Sequence, residues 1–567
     1  MTGQTLRPFL TRATQLYPDR EVVARTADGM TRYTYAEYAD RVGRLANALR
    51  AAGVERGDRV ATLCWNHDRH FEAYFAVPDL GAQLHTINPL LPADDVRRIV
   101  DGADDRLVFV DPSLADTLAA AYDPDAFESV EQVVVIGSSA PDLPVDSVTS
   151  FETFVAGHDA DYDPPTVNED DPAGLCYSSG TTGDPKGVEY THRMLWSHTM
   201  AITTPMGLDI ADADVVMPVV PMFHINAWGL PYAATAAGAK HVYPGPSPDP
   251  ADLVELIERE GVTLTAGVPT VWLGVLDYLD DHDADLSTLS RIVIGGAAPP
   301  ERLIRAFDDR GVEVVHGWGM TETAPVGAVS HLKPDLRDAD YETQLAKRTK
   351  QGLILPGLEF EVVDDAGERV PHDGESMGEL RVRGPWVADG YVDGPSETRR
   401  GDGAEGSVGD DAVEDSWLRT GDVVTVDSDG YIELVDRAAD VIRSGGEWIS
   451  SQALENAIMS HEAVREAAVV GVPHERWGER PVAYLVDDDA DRDALVETVS
   501  ARLREDYPDW WVPDRFEFVE AIPKTATGKF AKTDLRDRRD DPIDGAVAVE
   551  PPGDGDWDWD WDGDGGD

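Results

Sequence analysis

The chain has 567 residues, 42% of them hydrophobic, which is room for about three or four folding units and too apolar for a disordered protein. Its 48 Lys and Arg face 108 Asp and Glu, a formal net charge of −60, and a surface of that sign repels nucleic acid and anionic membrane. The N-terminus MTGQTLRPFL lacks the basic, apolar and small-residue regions of a secretion signal, and no apolar run reaches the roughly 18–20 residues of a membrane span, so no integral membrane segment is expected and the chain reads as cytoplasmic.

In chain order, Tyr35 to Ala51 carries apolar residues at helical spacing, and Arg59 to Leu63, Arg106 to Val110 and Gln132 to Ile136 are short strand-like runs. Ala173 to Tyr177 is another, leading into a Ser/Thr/Gly loop. Asp249 to Glu260 reads as helix and Arg291 to Ile294 as strand. This alternation predicts α/β layers with mostly parallel sheets, and no fixed-period repeat interrupts it. Gly401 to Asp415, rich in Gly, Asp and Glu, reads as an exposed insertion. After the strand-like Gly430 to Val435 the texture changes: Gln452 to Met459 is helix-like and Val464 to Val472 strand-like. The expected division is 1–436, 437–536 and an acidic tail, 537–567, whose ending DGDWDWDWDGDGGD favours disorder by its glycine and charge density.

The loop after Tyr177, within LCYSSGTTGDPKGVEYTH, carries the first chemistry. Gly180 and Gly183 let backbone N–H groups converge on an anion, and the hydroxyls of Ser178, Ser179, Thr181 and Thr182 can donate to phosphate oxygens. Lys186 adds a point charge. The set fits a triphosphate. A Walker A loop needs Gly-Lys followed by Ser or Thr; here Pro185 precedes Lys186 and Gly187 follows it, so that pattern fails. Only eight lysines occur in the chain, so finding Lys186, Lys524 and Lys529 inside motifs is informative. Cys64 and Cys176 are the only cysteines, each in an apolar context without metal-ligand spacing, and read as buried structural thiols.

This loop resembles the signature of the adenylate-forming superfamily, which includes acyl-CoA synthetases, firefly-luciferase-type enzymes and peptide-synthetase adenylation domains. The resemblance runs from about Tyr33 to Arg536. It takes in VMPVVPMFHINAWGLPYAAT, IGGAAPP, GWGMTET, RTGD, DRAADVIRSGGEWIS and PKTATGK in the family's order. PMFHINAWG, SGGEWIS and the stretch from Asn66 to Leu91 look most like fatty acyl-CoA synthetases. The implied fold is α/β: a large N-terminal domain of stacked α/β sheets and a small mobile α+β C-terminal domain, as in acyl-CoA synthetases and luciferase. The implied substrates are a carboxylic acid, ATP and coenzyme A, with Mg²⁺ as cofactor; a homodimer is compatible with the resemblance, and the residues leave oligomeric state open.

Matched motif by motif, the resemblance assigns roles. Glu322 in TET would hold Mg²⁺ beside the Ser178 hydroxyl, a donor set that suits a cation taking few protein ligands. Thr321 would touch the α-phosphate. His316, Gly317 and Trp318 would line the adenine slot with Gly296 and Ala297; Trp318 stands where the family usually has tyrosine. Asp422 would accept hydrogen bonds from the ribose hydroxyls, with Arg437 as second contact. Lys529 looks like the catalytic lysine; alone in a Gly/Thr turn it would read as a solvated surface residue, and its motif and position lift it. His224 would line the acyl or phosphate side, against the alternative of a satisfied core histidine. Trp228 matches a fatty-acid tunnel gate, although by bulk alone it reads as core. Gly445, Gly446, Glu447 and Trp448 would serve the CoA half-reaction. At the hinge, Ala439 replaces the family's Asp or Lys, and Arg443 stands where a lysine is usual.

The expected activity is ATP-dependent ligation of a medium- to long-chain fatty acid to CoA through an acyl-adenylate, releasing AMP and pyrophosphate. Two other readings stay open: a CoA ligase for an aryl or short-chain acid, and a non-catalytic acidic binding protein that keeps the fold. Because the acidic excess is spread along the whole chain, it suggests a salt-loaded cytoplasm, against the plainer alternative of an acidic protein in an ordinary cell.

Overall fold

The computed structural model describes residues 3–26, 29–177, 185–392, 413–414, 416–445, 447–461, 463–474, 476–487, 491–523, 530, 532–537 and 547–549. Two large sheets dominate residues 1–392. The first has nine strands, and six of them run parallel: Glu21–Thr26, Lys240–Tyr243, Val215–Pro218, Leu264–Gly267, Arg291–Ile294 and Glu313–Gly319. The second has eight strands. Its parallel part comprises Pro172–Tyr177, Gln83–Thr86, Arg59–Leu63, Asp105–Val110, Gln132–Val135 and Val148–Ser150. Short runs such as Arg59–Leu63 are buried along their whole length, which is why they read as continuous rather than alternating apolar segments.

Local signals account for the expected helices. The helix Tyr35–Ala51 starts at a capping box in which Thr34 and Glu37 satisfy each other's backbone N–H. Pro250–Glu260 begins at an Asp249 cap with proline in its first turn and stops at Gly261, whose φ of +69° closes the helix.

The alternation through most of the chain pointed to mostly parallel sheets, and both large sheets have a parallel core; the third sheet is antiparallel: Glu359–Val363, Gly378–Arg383, Val413–Glu414, Trp417–Val426 and Ile432–Arg437. Among the described residues, no helix of the kind a parallel crossover requires lies between its strands. The tail is not wholly irregular. Val547–Ala548 pairs antiparallel with Arg515–Phe518, because GAVAVE offers apolar residues to the open side of that strand, and Val547 and Val549 pack on the core there. Of the insertion 401–415, only Val413–Glu414 lies within the described residues; the Trp/Asp ending lies outside them.

The last sheet is mixed, built from Glu447–Ile449, Ile442–Ser444, Val464–His474, Gly478–Asp487, Arg515–Phe518 and Val547–Ala548, with the helices Ser451–Met459 and Arg492–Asp506 packed against it. The strand Ile432–Arg437 still belongs to the third sheet, while the Asp436 carboxylate caps the next helix, accepting from Ser451 N at 2.6 Å and Ser451 Oγ at 2.5 Å. Cys64 and Cys176 are free and buried, as expected.

Candidate active site

In open α/β sheets ligands gather beyond the carboxyl ends of parallel strands. Here those ends are Pro218, Gly267, Ile294 and Gly319 in one sheet and Tyr177 in the other. The loops that follow carry PMFH, GGAAPP, MTET and the phosphate-loop sequence, so the fold gathers most of the predicted motifs along one edge.

Thr321–Thr323 forms a buried 3₁₀ turn. The Tyr190 hydroxyl donates to the Thr321 carbonyl at 2.7 Å; burial pushes that phenol's pKa far up, so it remains a donor. Glu322 is 7% exposed, and its Oε1 accepts from the Tyr391 hydroxyl at 2.7 Å. Burial, followed by the neighbouring Glu322 charge, raises the Tyr391 pKa as well. Tyr391 lies on a short strand paired with Gly187–Thr191, and Lys186 Nζ sits 4.8 Å from its ring centroid. Lys186 and Glu322 thus flank one tyrosine. Sequence reasoning missed both tyrosines: Tyr190 stands near the end of LCYSSGTTGDPKGVEYTH, past the phosphate-loop residues, and Tyr391 stands in no quoted motif. A carboxylate held by a hydrogen bond at Oε1 keeps lone pairs for a hard cation, so Glu322 fits an Mg²⁺ ligand.

A second cluster centres on Asp422, which is fully buried. Trp318 Nε1 donates to its Oδ2 at 2.8 Å, and Arg437 Nη1 lies 2.8 Å from its Oδ1. Strand pairing opposes Asp422 to Arg437, which fixes the ion pair. His316 departs from expectation. Its ring is buried and donates Nδ1–H to the Thr349 carbonyl at 2.9 Å, and burial holds its pKa down at about 4, so it stays neutral inside the fold and does not line a slot. Gly317 lies in the same strand, while Gly296 and Ala297 are exposed.

His224 is half-buried and borders a small recess with Phe223, Tyr177, Thr86 and Asn88, so it is not a core histidine. The next residues, Ile225, Asn226, Ala227 and Trp228, all have φ between +48° and +56°. A left-handed turn of non-glycine residues costs roughly 1–2 kcal/mol each, and such strain collects at functional sites. The turn seats Trp228 on Gly295, where an added Cβ would meet Trp228 Cη2 at 3.0 Å and the Gly317 carbonyl at 2.9 Å. Trp228 therefore packs beside the Gly296–Ala297 turn.

The small-domain candidates lie elsewhere. Arg443 stacks on Trp448, with its guanidinium 5.6 Å from the ring, and approaches Asp365 at 4.0 Å. Trp448 Nε1 donates to Asp365 at 3.3 Å, and Gly445 N–H donates to the Trp477 carbonyl. The structure does not bring these residues to Glu322. Ser178, Ser179, Gly180, Thr181, Thr182, Gly183, Gly446, Lys529 and the Glu447 side chain lie outside the described residues. The cysteine expectation needs one amendment. Cys64, His67 and Asp111 offer donor atoms within 4.8 Å of one another, but His67 is already bonded to Asp111 and burial raises the Cys64 thiol pKa, so the group is an internal polar network.

The model of the AMP-binding enzyme matches residues 10–392, and that of the AMP-binding enzyme C-terminal domain matches residues 453–529. The chain belongs to the AMP-binding enzyme family. It is 45% identical over 531 residues to a long-chain-fatty-acid–CoA ligase of Thermus thermophilus, covering 94% of each chain. To a medium-chain-fatty-acid–CoA ligase of Ectopseudomonas oleovorans it is 38% identical over 556 residues, 95% of this chain and 98% of that one. Among solved structures, the anthranilate CoA ligase AuaEII in complex with anthranoyl-AMP superposes with a TM-score of 0.79 at 25% identity, over 95% of this chain and 98% of that one. In this AMP-binding enzyme, the indole that replaces the usual tyrosine makes the hydrogen bond to Asp422. Trp318→Phe is expected to raise the KM for ATP about tenfold, the value of a lost hydrogen bond to a charged group, with little change in turnover. Steady-state kinetics at varied ATP checks this; an unchanged KM counts against the pairing.

Proposed function

We propose that this enzyme is an AMP-forming acid–thiol ligase that joins a medium- to long-chain fatty acid to coenzyme A through an acyl-adenylate. The observation that carries the reading is the Lys186–Tyr391–Glu322 arrangement at the strand ends: a cation and an acid on one phenol, beside the sequence that resembles a phosphate loop. The extent of similarity to the two fatty-acid–CoA ligases supports the substrate class.

In the first half-reaction a carboxylate oxygen of the acid attacks the α-phosphorus of ATP. The bond to the β-phosphate oxygen breaks, and pyrophosphate leaves. In the second, the CoA sulfur attacks the acyl carbonyl carbon, AMP leaves as the bond between that carbon and the phosphate oxygen breaks, and the thiol proton passes to solvent. Lys186 and the 178–183 hydroxyls would hold phosphate oxygens, and Asp422 with Arg437 would hold the ribose. Mg²⁺ on Glu322 would supply charge neutralisation at the phosphates. Lys529 would steady charge between the carboxylate and the α-phosphate. The 444–448 segment would replace it for thioester formation after rotation about 436–443.

One observation favours a second reading, an aryl acid: the similarity to the anthranilate ligase structure. Acids from acetate to stearate, with benzoate and anthranilate, assayed with ATP, CoA and Mg²⁺ at high salt, separate the two. The highest kcat/KM is expected on a saturated acid of medium or long chain; preference for an aryl acid or acetate sinks the fatty-acid reading.

ATP and CoA as substrates, with a charge of −60, fit a salt-loaded cytoplasm. Raising KCl from about 0.1 M to about 1 M shortens the Debye length from roughly 10 Å to roughly 3 Å and damps the self-repulsion of the acidic surface. The thermal midpoint is expected to rise by about 10 °C, which corresponds to roughly 3–5 kcal/mol for each unit of about 150–250 residues that unfolds independently. A flat midpoint across that range removes the proposal.

A further inference from the structure

The stretch from Asn66 to Leu91 carries part of the family resemblance, yet none of the roles above uses it. In the structure its first residue reaches the site. Residues 219–224, which carry His224, belong to no helix or strand, so their backbone polar groups need other partners. The N–H groups of Val219 and Val220 donate to the Ala266 carbonyl. The remaining partners come mainly from two side chains. Asn66 Nδ2 donates to the Pro218 carbonyl at 3.0 Å and the Val220 carbonyl at 2.9 Å, and Asn66 Oδ1 accepts from Met222 N at 2.7 Å. The Tyr74 hydroxyl donates to the Met222 carbonyl at 2.6 Å.

Asn66 is 5% exposed and Tyr74 fully buried, so both hold fixed geometry away from water. The amide is used at three points, and its flipped form would turn the oxygen toward two carbonyls. Asn66 follows the strand Arg59–Leu63 of the eight-stranded sheet, while the loop follows Val215–Pro218 of the nine-stranded sheet. The contact therefore ties the carboxyl edges of the two sheets together and ends one residue before the Phe223–His224 wall of the recess.

We infer that Asn66, with Tyr74, is a positioning residue for the ligase reaction, holding the 218–222 backbone so that His224 faces the acyl and phosphate side of the site. This rests on the role given to His224 above. Displacement of a reacting-site group by about 1 Å costs up to about 10²-fold in rate. Asn66→Ala is therefore expected to slow ATP–pyrophosphate exchange by about 10²-fold, and Tyr74→Phe, which removes a single hydroxyl and keeps the ring, by about tenfold, with the KM for ATP held within about threefold.

A double-mutant cycle with His224→Ala decides the route. If Asn66 acts through His224, Asn66→Ala costs less than about threefold in the His224→Ala background. Equal losses in both backgrounds overturn the inference, as does a slow Asn66→Ala beside a fully active His224→Ala. If Asn66→Ala does not fold, Tyr74→Phe enters the same cycle and is judged by the same criterion. Hydrogen exchange gives a readout independent of activity: protection at Met222 should fall in both variants while that of the strand Arg59–Leu63 holds, and unchanged protection at Met222 overturns the clamp. A wild-type chain without exchange activity toward any acid removes the ligase reading and the catalytic half of the inference, and protection at Met222 still decides whether Asn66 holds the loop.

Discussion

Glutamine at position 322 is expected to slow adenylate formation by about two to three orders of magnitude while leaving the fold intact. The side chain keeps its size, and its amide oxygen can still accept from the Tyr391 hydroxyl, so the buried 3₁₀ turn loses no packing. What disappears is the negative charge. Removing one preorganised electrostatic contact to a developing charge costs about 10²–10³ in rate in comparable sites. Tyr391→Phe probes the same point from the other side, since it leaves the Glu322 charge and removes the hydrogen bond that orients it. Its expected effect is a rise of about tenfold in the Mg²⁺ concentration for half-maximal rate, with near-normal turnover at saturation. Pyrophosphate exchange across a Mg²⁺ titration measures both. Wild-type exchange by Glu322→Gln would falsify the metal role of Glu322.

How much of this could be read from the chain differs by residue. The helix Tyr35–Ala51 and the strand Arg291–Ile294 were legible because their signals are local: a cap, a period, a β-branched run. Glu322 and Asp422 were legible because each sits in a short motif. Their partners were not. Trp318 and Asp422 are 104 residues apart, and Tyr391 lies 69 residues from Glu322, so nothing short of the folded sheets brings them together. His316 shows the converse. Its position in the motif suggested a lining side chain, but a ring that finds a carbonyl inside the core stays there, uncharged. The antiparallel third sheet was hidden because strand-like runs do not reveal their direction; only the connections between them do. Asn66 stood in a stretch that was recognised, but its use, satisfying a loop more than 150 residues away, has no local mark.

The hinge has a physical reading that the sequence left open. With no carboxylate or lysine at Ala439, the turn is held by its neighbours: Ala438 N–H donates to the Gly421 carbonyl, Asp440 and Val441 N–H groups donate to the Arg437 carbonyl, and Arg536 pairs with the Asp440 carboxylate at 2.5 Å. Arg443 Nη1 reaches the Ala438 carbonyl at 3.4 Å, so the charge expected near the hinge is supplied from its far side. The links from the small domain to Asp365, made by Arg443 and Trp448, are exposed, and the Arg443 contact weakens with salt. The bonds from buried Ser451 to the Asp436 carboxylate and from the Ser450 hydroxyl to the Val435 carbonyl are the contacts that a rotation about 436–443 has to break.

The proposed rotation would make the two half-reactions separable, and Lys529→Ala tests the separation. Lys529 is the final residue matched by the model of the AMP-binding enzyme C-terminal domain. If its ammonium steadies the charge between the attacking carboxylate and the α-phosphate, alanine should slow pyrophosphate exchange by about 10²–10³-fold. Thioester formation from supplied acyl-AMP is an acyl transfer in which AMP leaves and the 444–448 segment, by the proposal, faces the site. It should change by less than about threefold. Pre-steady-state assays of each half-reaction at matched salt provide the comparison. Equal loss in both would mean that Lys529 serves a single arrangement of the two domains, and rotation about 436–443 would then have no part in the cycle.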